Sequence, residues 1–374
     1  IDLINSELSV PQLNWRKPSG SAGQLKVTAD IQDNKLVKLS TINLVATDLN
    51  LDAKADFHEQ SGRVKNILIN NLSVGDSEMD GIIKRKDNGH YHAKLKGKKI
   101  NLNRFISDNS PSPDAGKIKF SVAADFDQVF LWDLPPIKNV NLKIEKNTIS
   151  IPKIKLVGVV DECPIHINSV GKDRVRQFLF ESKKAGCVLK GLDITESVVG
   201  GGITIVGEIL SSGDQEKTLS EISITDFGLK DTPLFTQILN SASLIGLMDT
   251  LRGKGIQFEQ LNAKTIFTKD KIEIIDSLAK GNSLGVLASA TIMRHNKEAE
   301  INGMIVPAYR LNEWINKIPV LGKIITGGQK EGFFAVEYSI TQSLEAPKIS
   351  VDEINSLTPG ILRTFVKKTR KSLQ

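Results

Sequence analysis

Apolar and polar residues alternate along most of this chain. Leu49, Leu51, Ala53, Ala55 and Phe57 are interleaved with Asn50, Asp52, Lys54 and Asp56. Ile118, Phe120, Val122, Ala124 and Phe126 are interleaved with Lys119, Ser121, Ala123 and Asp125. Shorter copies occur at Val140-Leu142-Ile144, Ile149-Ile151, Ile165-Ile167, Ile203-Ile205, Ile222-Ile224, Ile272-Ile274 and Ile349-Val351. A period of two sends one set of side chains to each face of a sheet. A sheet with one wet face is characteristically antiparallel. Gln32-Asp33-Asn34-Lys35, Lys86-Asp87-Asn88-Gly89, Glu145-Lys146-Asn147-Thr148 and Thr268-Lys269-Asp270-Lys271 each join two such runs and predict hairpin turns. A loose strand–turn–strand repeat covers Leu72 to Gly81 and Tyr91 to Leu102. The expected fold is mainly β. Its apolar face has three available coverings: a second sheet, closure into a barrel, or an open trough whose lining meets a ligand.

Helical spacing is rare before Asp231. Leu102 to Ser107 and Phe130 to Leu134 read as short helices, Lys172 to Lys183 is ambiguous, and Asp108 to Gly116 (DNSPSPDAG) is the best linker, with a loop leaving a continuous sheet as the alternative to a domain boundary. Three longer segments follow. The first has Asp231 or Thr232 as N-cap and Pro233 at its first position. Its stripe is Leu234, Ile238, Ala242, Ile245, Met248 and Leu251, widened by Phe235, Leu239 and Leu247. No charged residue lies between Thr232 and Met248, and Gly253 and Gly255 end the segment. The second runs from Asn312 to Ile325 with Trp314, Ile315, Ile318, Leu321 and Ile325 apolar, and Pro319 bends or divides it. The third begins at Thr358-Pro359 and carries Ile361, Leu362, Phe365 and Val366. Each stripe has two readings: packing on the parent sheet, or a lid or membrane contact.

Composition narrows the function. Hydrophobic residues make up 40% and charged residues 25% of the 374, ordinary values for a folded chain. Forty-nine basic against 43 acidic residues give +6, too weak and dispersed a charge for nucleic acid. Lys367, Lys368, Arg370 and Lys371 form a basic tail, either solvated or placed to meet anionic headgroups. No apolar run is long enough for a transmembrane helix. The start at Ile1 is read as that of a fragment or processed product, with any anchor upstream. Cys163 and Cys187 are not in a CxxC, which removes zinc and thioredoxin-type chemistry, and free thiols are expected over a pair. HExxH, GxSxG and P-loop patterns are absent. His90 and His92 share a strand face without a third ligand, and His58, His166 and His295 are isolated. Gly200-Gly201-Gly202 precedes a strand, so it bends backbone rather than cradling phosphate. The expectation is no enzyme, no cofactor and no metal.

The C-terminal half resembles the AsmA-like C-terminal region family, the YhdP- and TamB-like proteins of the bacterial envelope. The matching segments, in order, are Ala185-Gly186 and Val199-Gly200-Gly201-Gly202 with Gly207, a glycine-marked strand pair, then Ile224-Thr225-Asp226-Phe227 and Asp231-Thr232-Pro233-Leu234 leading into the apolar helix. Leu244-Ile245-Gly246-Leu247, Leu251 to Ile256 and Phe258 follow, then Val306 to Asn312, Ile318 to Gly322, Gly327-Gly328, Gly332 to Ala335, Pro347 to Val351 and Leu357 to Arg363. Gly81 to Arg104, with Leu95 to Leu102, resembles the family's repeating β region. The Asn-Pro that often follows the family's last strand is missing after Val351.

The resemblance implies an elongated antiparallel sheet curled into an open trough (a β-taco) with a few C-terminal amphipathic helices. It divides the chain into a β-groove region, residues 1–184, and an AsmA-like C-terminal region, residues 185–374. It also implies a periplasmic location, an inner-membrane anchor upstream, and phospholipid transport between the two membranes in support of outer-membrane integrity. The groove candidates are Leu49, Leu51, Phe57, Ile118, Phe120, Val122, Phe126, Ile203 and Ile205. The lid or membrane candidates are Leu234, Phe235, Ile238, Ile245, Met248, Trp314, Ile315, Leu321, Ile361, Leu362 and Phe365. Expected partners are phospholipid acyl chains, a membrane surface and envelope proteins. The alternative is an assembly factor for envelope proteins that acts through sheet edges.

Overall fold

The computed structural model describes residues 1–10, 13–106, 119–131, 134–146, 152–172, 175–212, 215–241, 255–307, 335–343 and 346–354. They belong to two compact units: Ile1–Asp173 with Gly191–Asp193, and Arg174–Lys190 with Ile194–Gln374. Strand dominates both, as the alternation predicts.

In the first unit β1 (Leu8–Val10) and β2 (Trp15–Lys17) form a small antiparallel pair. The main sheet follows in chain order: β3 (Gly23–Gln32), β4 (Lys35–Ala46), β5 (Leu49–Phe57), β6 (Val64–Val74), β7 (Ser77–Arg85), β8 (Tyr91–Asn101), β9 (Phe120–Phe130), β10 (Ile137–Lys146), β11 (Lys153–Val160) and β12 (Cys163–Lys172). Helix α1 (Asn103–Ile106) follows β8, where a short helix was expected. Asp33 and Asn34, at φ +48° and +59°, make the predicted tight β3–β4 turn. Thr268 and Lys271 close their predicted turn through a 3.0 Å backbone bond. The Glu145–Thr148 turn lies partly outside the described residues.

One pairing departs from the antiparallel expectation. β8 and β9 are parallel, with Tyr91 beside Phe120 and Asn101 beside Phe130. Asp108 to Gly116 lies outside the described residues, but it connects two strands of one unit and is not a domain boundary. The expected helix at Phe130 to Leu134 is also corrected, because β9 continues through Phe130.

The second unit contains β13 (Val175–Ser182), α2 (Ala185–Gly191), β14 (Val198–Ser212), β15 (Gln215–Leu229), α3 (Pro233–Ser241), β16 (Ile256–Phe267), β17 (Lys271–Gly281), β18 (Leu284–Met293), β19 (Ala299–Pro307), β20 (Ala335–Thr341) and β21 (Lys348–Ile354). Consecutive strands from β13 to β21 pair antiparallel. The ambiguous Lys172–Lys183 segment contains strand β13. Ala185-Gly186, implied to be strand, instead opens α2. A side chain at Gly186 would strike the Val198 carbonyl and the Gly200 amide, so the glycine lets the helix lie against β14.

Both cysteines are disulfide-bonded, which corrects the expectation of free thiols. One opens β12 and the other lies on α2, and no local pattern ties those elements together. The bond closes a loop of about 24 residues, for which chain entropy predicts about 3 kcal/mol of stabilisation. Cys163→Ser is expected to lower the unfolding free energy by that amount, measured in urea. An unchanged midpoint would refute it.

Candidate functional site

Register turns the alternation of the first unit into continuous rows on one sheet face. Ile42, Ala53, Ile69, Gly81 and Leu95 stand side by side across β4 to β8, and the row continues through Ala124, Leu142, Leu156 and Ile167 on β9 to β12. A second row runs Leu39, Ala55, Ile67, Ile83, Ala93, Val122, Ile144 and Ile154. Leu49, Leu51 and Phe57 alternate with exposed Asn50 and Lys54, and lie on the face that carries Ala53 and Ala55. Phe120, Val122 and Phe126 lie on the corresponding face of β9. The two strands thus bring the described candidates of this unit onto one surface. Ile118 lies outside the described residues.

Burial along that surface is graded. Leu49, Val74, Val129 and Val160 are between 0% and 4% exposed at one end of the strands. Leu39, Ile67, Ile83, Val122 and Ile144 are only half-buried towards the other. Polar ties hold the buried end. Arg104 on α1 pairs with Asp48 at 2.9 Å and donates to the Asn14 carbonyl at 3.3 Å. Its guanidinium fills the space over Gly75, whose φ of +54° suits glycine. Trp15 donates its indole N–H to the Thr47 carbonyl at 3.0 Å. Lys17, 1% exposed, gives its ammonium to the carbonyls of Leu3 (2.7 Å), Ser6 (3.0 Å) and Pro18 (3.3 Å).

Two apolar positions three apart reach the same face where the backbone bulges. Asn139 at φ +50° allows both Ile137 and Val140 to lie over Gly158. In the second unit Gly200 and Gly201, at φ +72° and +77°, sit beside Asp226 at +54°. That bulge lets Ile224 and Phe227 share one core. The triple glycine therefore bends backbone, as expected.

The second unit repeats the arrangement. Ile203, Ile224, Leu261, Ala279, Val286, Ile305 and Val336 form one row, and Phe180, Ile205, Ile222, Ala263 and Ser277 lead the next towards Tyr338. Ile203 is buried and Ile205 half-buried. Two rings lie across glycines on this face: Phe178 over Gly207, and Tyr338 over Gly303. Burial pushes the Tyr338 phenol above its ordinary range. Helix α3 packs beside β21 and buries Phe235, Ile238 and Leu239 in one cluster with Phe258, Leu284 and Val336, with Leu234 half-buried. Pro233 opens the helix as predicted, but the buried Thr232 hydroxyl makes no hydrogen bond and so does not cap it. Ile245, Met248, Trp314, Ile315, Leu321, Ile361, Leu362 and Phe365 lie outside the described residues. Arg176 shares the Phe178 face, where burial lowers its pKa against the opposing pull of Glu216.

No group of three or more metal-ligating side chains exists among the described residues. His90 and His92 stack at 4.4 Å, closer than their spacing alone indicates, and His92 Nδ1 meets the Ser121 hydroxyl at 2.6 Å. Desolvation, then the charges of Lys86 and His90, lower the His92 pKa. A hollow of about 400 Å³ on the opposite face of the second sheet, bordered by Val206, Leu278 and Leu287, was missed in the sequence because it depends on cross-strand register. No helix among the described residues is long and apolar enough to cross a membrane. No protein-family model, curated protein or solved structure matches this chain.

Proposed function

We propose that the apolar sheet faces carry phospholipid acyl chains, and that the chain is the periplasmic part of an AsmA-like envelope protein moving lipid between the inner and outer membranes. The observation that carries this reading is the run of apolar rows across β4 to β12, half-buried at one end of the strands. A sealed core would bury such rows throughout. Removing a methylene from water is worth about 0.8 kcal/mol, so a 16-carbon chain gains on the order of 12 kcal/mol on such a surface. The sheet forms an open trough in this reading, α3 serves as a partial lid, and the later helices with the basic tail meet a membrane. The disulfide is consistent with an oxidising compartment such as the periplasm. No catalytic step is assigned.

The purified chain is expected to retain phospholipid detectable by native mass spectrometry and by lipid extraction. A folded chain that stays lipid-free after incubation with phospholipid vesicles would overturn the reading. That result favours an assembly factor, for which β3 is the supporting observation. Its residues from Lys26 to Gln32 are exposed, Val27 and Ile31 among them, and an exposed strand of this length suits pairing with another chain.

A further inference from the structure

We infer that two copies of this chain associate through the free edge of β3, where Lys26–Gln32 pairs antiparallel with the same residues of the second copy. On one side β3 pairs with β4. On the other, among the described residues, it meets only the start of the chain. Ile1 and Leu25 exchange backbone bonds of 2.9 Å each, and Leu3 donates to the Gly23 carbonyl at 2.8 Å. That short ladder stops at Leu25. Every residue from Lys26 to Gln32 is exposed, Val27 at 42% and Ile31 at 65%.

The edge is regular. Both register shifts between β3 and β4 place the extra residue on β4, at Ser40 and at Val37. Because Leu25 bonds outward, the two-residue alternation turns the N–H and C=O groups of Val27, Ala29 and Ile31 outward as well. The strand has no proline, and its charges, Lys26 and Asp30, lie on the face opposite Val27, Ala29 and Ile31, so the edge lacks the usual protections against pairing.

The pattern is self-complementary about Ala29. A two-fold axis there sets Val27 against the partner's Ile31, and Ala29 against the partner's Ala29. Each such apolar pair exchanges two backbone hydrogen bonds. On the other face Thr28 meets the partner's Asp30 and Lys26 meets the partner's Gln32, so no like charges oppose. Lys26 is also the diagonal neighbour of the partner's Asp30. An axis at Thr28 would drive the partner's Ile31 into the place that Ile1 holds, and an axis at Asp30 would set two aspartates against each other. Val27 stands beside Ile42 and Ile31 beside Leu36, so the pairing joins the apolar rows of the two copies. An edge ladder alone is a small interface, which sets the dissociation constant on the order of 10 µM.

Sedimentation equilibrium of the purified chain from about 1 to about 200 µM is the test. Wild type is expected to pass from monomer to dimer over this range. Ala29→Pro removes an outward N–H that β4 does not use, so it should weaken association at least about tenfold with an unchanged urea midpoint. Lys26→Asp should weaken it about fivefold, and Lys26→Asp with Asp30→Lys, which exchanges the charges, should restore it. Under oxidation Ala29→Cys should crosslink to its own copy, whereas Val27→Cys should not. If Ala29→Pro disturbs the fold, the charge exchange and the crosslinks decide. A chain that stays monomeric at about 200 µM would overturn the inference and leave the edge to a different partner. A dimer that is indifferent to Lys26→Asp, or that crosslinks through Val27→Cys and not Ala29→Cys, would overturn it too.

Discussion

Val122→Asp is expected to reduce co-purified phospholipid by at least about tenfold while leaving the fold nearly as stable as wild type. Val122 is half-buried in the row of Ala93 and Ile144, so its carboxylate reaches water without moving the sheet. An acyl chain on that row would instead have to cover a charge, and desolvating it costs several kcal/mol. Val129→Asp is the contrasting change. Val129 is 0% exposed beside Ile100 and Ile137, and an aspartate there should destabilise the first unit by more than about 4 kcal/mol. Lipid per protein and urea unfolding, measured on both variants, separate the two effects. Equal loss of lipid and stability in Val122→Asp would identify an ordinary packed core.

Gly303→Ala should cost about 3 kcal/mol, a large effect for one methyl group. Tyr338 lies across Gly303 on the neighbouring strand, with its hydroxyl 3.5 Å from the Leu287 carbonyl. A Cβ at position 303 would occupy the place of the phenol ring. The ring must then leave a buried site, and its raised pKa should fall towards the ordinary tyrosine value. Unfolding free energy and ultraviolet titration of tyrosinate provide the two readouts. A cost below about 0.5 kcal/mol would remove the account of Gly303 as the seat of the ring.

Strand content was legible because a period of two is local. Leu49 to Phe57 and Phe120 to Phe126 declare their faces without any knowledge of their partners. What the residues concealed depends on events between strands. Ile137 and Val140 are out of phase in any two-residue pattern, and only the positive φ of Asn139 reconciles them. Ile224 and Phe227 meet for the same reason beside Asp226. The parallel β8–β9 pair was hidden because each strand alone is indifferent to its neighbour's direction. Helix α2 is seven residues long, too short for a 3.6-residue period to emerge, and its cysteine gave no sign of a bond to one on β12. The apolar stripe of the first long helix was readable, whereas its place beside β21, in a cluster with Phe258, Leu284 and Val336, was not.

Every ladder in the main sheet of each unit joins strands adjacent in the chain, the parallel pair included. A strand therefore needs only its predecessor as a template, and most pairings close over a short turn. Such a sheet has a low contact order for its size, and it can grow by one strand at a time as the chain is synthesised. Its cooperativity is correspondingly short-ranged, as in repeat proteins whose elements bind their neighbours. Insertion or loss of a hairpin would lengthen or shorten the sheet without rewriting the ladders on either side.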